Sequence, residues 1–105
     1  MSKPLRFDAE AEDELRAAAA WYERQRRGRG GELLAAVADA LVAVQEAPAA
    51  APPAPLVPGE LGVRRRLTRR FPYAVVFVEL PDEIRVVAVA HGRRRPGYWR
   101  GRLGG

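Results

Sequence analysis

The chain has 105 residues, 48% hydrophobic and 30% charged, with no cysteine and one histidine. This composition predicts a single globular domain over residues 1–105, and it excludes a disulfide framework, a thiolate metal site and a histidine-rich zinc site. The net charge of +5 is unevenly divided, because residues 1–61 carry 7 basic and 10 acidic side chains whereas residues 62–105 carry 11 arginines and 3 acids, which predicts an anionic partner.

The opening segment, MSKPLRFDAEAEDEL, is charged almost at once and is unlike a secretory signal peptide. No uninterrupted apolar run approaches the roughly 20 residues that a membrane-spanning helix needs. We therefore expect a cytoplasmic protein with no membrane partner. Within this segment PLRFD predicts a short first strand, in which Leu5 and Phe7 alternate.

Two helices are predicted next. Asp8 stands at the N-cap position of the first, and GRGG (28–31) breaks it. The second begins near Gly31 or Glu32 and is stopped by Pro48. Apolar residues recur at helical spacing in both, at Ala11, Leu15, Ala18, Ala19 and Tyr22 and then at Leu33, Leu34, Val37, Leu41 and Val44. The short break between the helices predicts an antiparallel hairpin.

A proline-rich loop, 47–60, carries five prolines and predicts irregular surface structure. After it the apolar period changes to two. GVRRRLTRR predicts a strand with alternating Val63 and Leu67, and YAVVFVEL and EIRVVAVAH predict two more, joined by the turn PD. The basic tail, 92–105, is predicted as a loop with one helical turn at 96–100. The order β-α-α-β-β-β predicts an α+β fold in which the helical hairpin covers one face of a small antiparallel sheet.

Three segments in this order resemble the RelE/ParE superfamily of type II toxins, also called plasmid-stabilisation proteins. ELRAAAAWYE is similar to the family's first helix, which an aromatic pair ends. VRRRLTRRFPYAVVF is similar to its arginine-bearing strand, turn and following strand, and VVAVAHGRRRPGYW to the end of its last strand and its tail. The resemblance covers nearly the whole chain and implies the RelE/ParE-like fold.

The resemblance also implies a toxin that a cognate antitoxin inhibits by wrapping it with a C-terminal segment. RelE-like members cut messenger RNA in the ribosome without metal, whereas ParE-like members poison DNA gyrase and have no known nuclease chemistry. Some members are poorly toxic. No cofactor and no metal site is expected for any of these.

Metal-free RNA cleavage must deprotonate the 2′-hydroxyl, stabilise the phosphorane and protonate the 5′-oxygen. Arg94 matches the arginine that follows the last strand in RelE-like members, and Tyr98 or Trp99 falls near their tail tyrosine. His91 is the one obvious general base. If the chain is a nuclease, the catalytic candidates are therefore His91, Arg94 and Tyr98. Alternatively, His91 caps the strand end by bonding a neighbouring backbone carbonyl or Tyr98.

Two departures weaken the nuclease interpretation. RelE-like members often have Tyr-Arg where this chain has Tyr73-Ala74, and no lysine follows Lys3. We therefore favour a ParE-like toxin that acts by binding and inhibits an essential nucleic-acid process such as DNA gyrase action. A RelE-like ribosome-dependent mRNA endoribonuclease and a nontoxic nucleic-acid-binding remnant stay open, and the chain is an enzyme only in the first of these two alternatives.

The arginines and one tryptophan supply the candidates for contact with the target or the antitoxin, which are Arg64, Arg66, Arg69, Arg93, Arg95 and Trp99. Alternate residues of a strand point to opposite faces, so Arg64 and Arg66 share one face while Arg65 shares that of Val63. We expect arginines of this strand and of the tail to meet on the face that the helices leave uncovered. Tyr98 and Trp99 either stack on a base or pack over the sheet, and the oligomeric state stays open.

Overall fold

A computed structural model describes residues 2–104 as two helices packed on a four-stranded sheet. The strands and helices are β1 (Leu5–Phe7), α1 (Ala9–Gln25), α2 (Arg29–Glu46), β2 (Val63–Leu67), β3 (Tyr73–Glu79) and β4 (Ile84–His91). Short 3₁₀ turns lie at Pro48–Ala50, Gly59–Leu61 and Arg100–Gly104. The α+β class and the order β-α-α-β-β-β are those predicted. No helix within residues 2–104 has the length and apolar character to traverse a bilayer.

The sheet has the strand order β1-β4-β3-β2, and its three long strands are antiparallel, as expected. The short β1 differs, because it pairs parallel with β4, with Leu5 opposite Ile84 and Phe7 opposite Val86. The sheet is therefore mixed. Since β1 ends at Phe7, the outer edge of β4 beyond Val86 has no strand beside it, and its backbone groups need other partners.

Side chains from both faces of the sheet are buried, in two separate cores. The helix-side core joins α1 and α2 to β3 and β4 through Ala11, Ala18, Leu33, Ala36, Val37, Ala40, Val44, Ala51, Phe71, Val75, Phe77, Ile84 and Val86. The tail-side core is smaller and consists of Ala54, Val63, Val76, Val87, Ala88 and Trp99. The face opposite the helices is thus covered by the tail and the proline-rich loop. The continuous apolar run of β3 is buried on both sides, as its sequence predicts.

A β-bulge in β4 explains why two adjacent residues of this strand, Val87 and Ala88, both belong to the tail-side core. The register between β3 and β4 shifts after Val76, which is opposite Ala88, whereas Phe77 is opposite Val86. Val87 is the extra residue, and it joins Ala88 in the tail-side core. The bulge therefore gives the tail two adjacent apolar residues to pack on.

The helical hairpin is tighter than predicted. The first helix continues to Gln25, and α2 already begins at Arg29, two to three residues before the predicted start. The break needs only Gly28, whose φ of 89° is in the left-handed region that favours glycine. Gly30 lies inside α2, where a Cβ would come within 2.5 Å of the carbonyl oxygen of Ala19, so this glycine permits the close approach of the helices.

The N-cap position predicted for Asp8 is confirmed, whereas the burial predicted for Leu34 is wrong. Asp8 stands at the N-cap of α1, but its side chain caps no backbone N–H, because the carboxylate accepts two hydrogen bonds from Arg85 at 2.8 Å instead. Leu34 was placed on the buried stripe of α2 but is exposed, since the buried face passes through Leu33 and Val37 with alanines between them.

The proline-rich loop is not simply irregular surface. The N–H of Arg65 donates to the carbonyl of Pro52 and the N–H of Ala54 to that of Val63, both at 2.9 Å. These bonds place the loop along the free edge of β2 and bury Ala54 beneath it. Proline lacks an N–H, which suits it to an edge position of this kind.

The basic tail follows β4 as turns, and its helical segment is Arg100–Gly104 rather than the predicted 96–100. Trp99, only 4% exposed, packs into the tail-side core. This is the packing alternative for the tryptophan, and it leaves little of the Trp99 side chain exposed.

Candidate functional site

A pocket of about 260 Å³ lies on the tail side of the sheet, between the end of β2, the start of β3, the end of β4 and the tail. It brings together five of the residues singled out from the sequence, His91, Arg94, Arg95, Tyr98 and Trp99. Three arginines and His91 line its wall, and its lining also includes apolar residues such as Val76 and Ala90. We call it the arginine pocket.

Arg65 is the arginine that β2 contributes to the arginine pocket. Strand alternation predicts that it shares the face of Val63, but it is not among the predicted site residues. Its Nε is buried and has no hydrogen-bond partner within residues 2–104. A buried donor without a partner is costly, about 1–3 kcal/mol, and a bound acceptor would remove that cost.

Four of the predicted contact residues lie outside the arginine pocket. Arg64 donates from its Nη1 to the carbonyl of Ala51 at 2.6 Å, and it therefore serves to hold the loop. Arg66 and Arg69 line a shallow depression against α2 beside Asp39. Arg93 is exposed on the tail and is not part of the pocket wall. Of the three β2 arginines, only Arg65 therefore lies beside the tail arginines on one face of the sheet. Arg64 and Arg66 do not.

His91 ends β4, and its ring makes two contacts within the protein. Its Nδ1 accepts a hydrogen bond from the backbone N–H of Arg93 at 3.0 Å, and its ring meets that of Tyr73 edge-on at 5.0 Å. Because Nδ1 is the acceptor, the neutral ring carries its proton on Nε2. His91 therefore offers the pocket a hydrogen-bond donor rather than a free base. The alternative expectation is that His91 bonds a backbone carbonyl at the strand end; it does bond the backbone there, but the group is the N–H of Arg93.

The hydroxyl of Tyr98 donates to Oε2 of Glu14 at 2.5 Å. Burial and, next, this bond to the Glu14 carboxylate raise the pKa of Tyr98 above its usual range. The guanidinium of Arg94 lies over the face of the same ring, 3.9 Å from its centre. The ring of Tyr98 thus packs against the Arg94 guanidinium, and its raised pKa keeps the hydroxyl protonated.

Glu14 is the hub that fixes the tail. Besides Tyr98, its carboxylate accepts two hydrogen bonds from Arg102 and one from the N–H of Val89, all at 3.0 Å. The Val89 amide belongs to the stretch of β4 beyond β1, so Glu14 supplies the partner that the missing strand does not. Arg102 donates in addition to the carbonyl of Val87 at 2.9 Å.

A second ion pair extends this arrangement along β4. Arg85, which holds Asp8, also donates to the backbone carbonyl of Arg102 at 2.6 Å. The hydrogen bonds with Asp8 raise the pKa of Arg85 and those with Glu14 raise that of Arg102, so both stay charged. The tail is therefore bound to α1 and β4 by largely buried charges.

One of these residues could have been found from the sequence. Glu14 stands three residues after Ala11 and four before Ala18, so it lies on the buried stripe of α1, where a carboxylate needs a partner. Nothing in the local pattern of Arg102 marks it as that partner. Residues 2–104 contain no cluster of three or more His, Cys, Asp or Glu side chains that could hold a metal ion.

Comparison with known proteins gives a family and a fold. A family model described as the ParE toxin of the type II toxin–antitoxin system, parDE, matches residues 5–96. The chain is also similar to a chain of the solved chromosomal ParDE TA system from P. aeruginosa, with a TM-score of 0.63 and 22% identity over 86% of this chain and 96% of that one. At this identity the similarity shows the fold alone. A comparison with curated proteins finds no match.

Proposed function

The chain belongs to the ParE toxin family of type II toxin–antitoxin systems, and on that premise we propose that it inhibits DNA gyrase in the cytoplasm by binding, without catalysis. Residues 1–105 act as one toxin domain in this proposal, and a cognate antitoxin is the inhibiting partner. The observation that carries the choice of binding over cleavage is the state of the two proton-transfer candidates.

Both candidates already form hydrogen bonds within the protein, through the Tyr98 hydroxyl and His91 Nδ1. The Tyr98 hydroxyl donates to Glu14, and its raised pKa opposes release of the proton. His91 has its Nδ1 lone pair bound to the Arg93 N–H, so its Nε2 carries a proton and cannot take one from a 2′-hydroxyl without a change of tautomer. Arg94 can stabilise a phosphorane but transfers no proton near neutral pH.

The arginine pocket is suited to receive an anionic group. Arg65, Arg94 and Arg95 line it, and none of the three forms an ion pair within residues 2–104. Guanidinium groups recognise carboxylate and phosphate alike, so the same pocket can meet an acidic side chain of the target or of the antitoxin. Competition for the pocket would then explain inhibition by the antitoxin.

Metal-free mRNA cleavage is the second candidate, and one observation favours it: His91, Arg94 and Tyr98 do line a single pocket. The experiment that separates the two is inducible expression with and without the neighbouring gene, read out as plasmid topology and as transcript integrity. Altered supercoiling with intact transcripts supports gyrase inhibition. Cut transcripts with normal supercoiling contradict it, and normal growth with neither effect supports a nontoxic remnant.

Variants make this test sharper. Arg94→Ala should lower toxicity at least tenfold in viable-count assays, whereas Arg93→Ala, which removes the same charge one residue outside the pocket, should remain close to wild type. His91→Ala should keep its toxicity, because binding needs no proton transfer. Complete loss of toxicity in His91→Ala at normal protein levels would count against the binding proposal.

A further inference from the structure

A second group of arginines gathers where α1 passes into α2 and β2 turns into β3. We call it the basic end, and it consists of Arg26, Arg27, Arg29, Arg66, Arg69 and Arg70. The two turns touch, because the guanidinium carbon of Arg29 lies 4.4 Å from the ring centre of Phe71, the residue after Arg70. The fold thus joins arginines more than thirty residues apart in the chain.

Few acids balance these charges. Arg26 and Arg29 share the carboxylate of Glu32, at 3.2 and 2.7 Å. Within residues 2–104 the other four arginines form no ion pair, although Arg66 and Arg69 lie near Asp39. A hydrogen bond from Arg29, together with the charges of Arg26 and Arg70, lowers the pKa of Glu32, which places Arg70 in the same electrostatic neighbourhood.

The backbone at Arg70 is the second observation. Its φ is 66°, in the left-handed region, which is unfavourable for a residue with a Cβ but not for glycine. A turn that keeps an exposed arginine at such a position retains strain that a glycine would relieve. Residues held in strained conformations concentrate at functional sites, and here the retained group is a guanidinium without an ion-pair partner.

The chemistry of the basic end favours phosphate over a peptide. The large apolar side chains that are exposed are Trp21, Leu34, Val42, Leu56, Leu61 and Leu67. Leu67 is the one that lies within the basic end, between Arg66 and Arg69, and neither turn (residues 26–29 and 68–71) carries another. Six guanidinium groups around one exposed leucine suit a backbone of regularly spaced phosphates better than an apolar peptide segment, whose interface would need several buried anchors.

We propose that the basic end binds the phosphodiester backbone of duplex nucleic acid without regard to sequence, at a site separate from the arginine pocket. Arg66 and Arg69 lie on the helix side of the sheet and the arginine pocket on the tail side. The toxin therefore has one surface for a protein partner and another for a nucleic acid. This activity goes beyond the proposed inhibition of gyrase and does not depend on it.

The test is fluorescence anisotropy of the purified full chain with 20-base-pair DNA and RNA duplexes over a range of salt concentrations. Wild type should bind with a slope of log K against log salt of about −3 to −5, since each phosphate contact contributes about −0.9. Arg70→Gly should reduce the magnitude of this slope by about one, and the double variant Arg69→Gln/Arg70→Gly by about two. The DNA and RNA arms identify the source of the backbone.

Arg70→Gly is informative because it should leave the melting temperature unchanged or raise it, so a loss of binding cannot be attributed to unfolding. Arg16→Gln, which removes one exposed charge from the middle of α1, is the matched control and should bind like wild type. Three results would overturn the proposal: no duplex binding by wild type, an equal loss in Arg16→Gln, or displacement of the duplex by polyglutamate of equal charge as effectively as by unlabelled duplex. Normal neutralisation of Arg70→Gly by the antitoxin would show that the arginine pocket is intact.

Discussion

Truncation of Glu14 to alanine should be among the most destabilising single changes in α1. Its carboxylate accepts four hydrogen bonds, from Tyr98, from the Val89 N–H and two from Arg102. The Glu14 and Arg102 side chains are only 17% and 18% exposed, so water cannot fully replace the lost partner. Removing one member of a well-buried pair costs about 3–5 kcal/mol, and the remaining exposure reduces this to about 2–4.

A domain of this size has a total stability of about 5–15 kcal/mol, so Glu14→Ala removes a large share of it. The melting temperature should fall by roughly 10–20 °C. Glu14→Gln keeps an acceptor but loses the charge, and it should lie between the alanine variant and wild type. Urea unfolding followed by tryptophan fluorescence suits the measurement, since the buried Trp99 reports on the tail.

The control is Glu12→Ala, which removes an exposed carboxylate from the same helix and should change the free energy of unfolding by less than about 0.5 kcal/mol. Amide hydrogen exchange at Val89 gives an independent readout, because this N–H donates to Glu14 and not to a strand. A Glu14→Ala variant as stable as Glu12→Ala, with the Val89 amide still protected, would refute the assignment of Glu14 as the hub of the tail.

Three further predictions concern packing, pH and the arginine pocket. Gly30→Ala should lower the free energy of unfolding by about 2 kcal/mol, because the added Cβ overlaps the Ala19 carbonyl. Gly31→Ala, which has open space around it, should raise the free energy of unfolding by about 0.5–1 kcal/mol. Urea unfolding that ranks the two variants otherwise would contradict the close helix contact. Because the pKa of Tyr98 is raised on folding, the unfolded chain loses this proton first, so stability falls as pH rises above about 10. Tyr98→Phe should make that fall shallower. Parallel profiles of stability against pH for the variant and wild type would argue against a buried hydroxyl. Arg65→Met removes the unpartnered Nε, so the melting temperature should stay equal or rise. The same variant should bind the antitoxin at least fivefold more weakly, as measured by calorimetry. An unchanged affinity would mean that Arg65 does not contact the antitoxin.

The sequence is sufficient to predict the elements whose apolar period is clear. The change from helical to alternating spacing after the proline-rich loop locates all three long strands, and the run from Val75 to Val78 indicates a strand covered on both faces. Element ends are less certain, as the early start of α2 shows. A single left-handed glycine, Gly28, is enough to turn the chain, so the other glycines of GRGG are free to join the helix.

The candidate site could be predicted only in part, because its positions depend on long-range contacts. Strand alternation correctly separates Arg65 from Arg64 and Arg66, but only the structure reveals that the core side of Val63 is the tail side and not the helix side. The pairing of Glu14 with Arg102 spans nearly the whole chain, and no local pattern contains that information.

The order in which the strands pair has a consequence for synthesis on the ribosome. β1 has its only partner in β4, roughly 80 residues later, and at 5–20 residues per second that interval takes about 4–16 s. During this time the apolar faces of the helical hairpin have no sheet to cover them. For several seconds a nascent chain therefore has apolar helix faces that no strand covers, which makes it prone to aggregation in that interval.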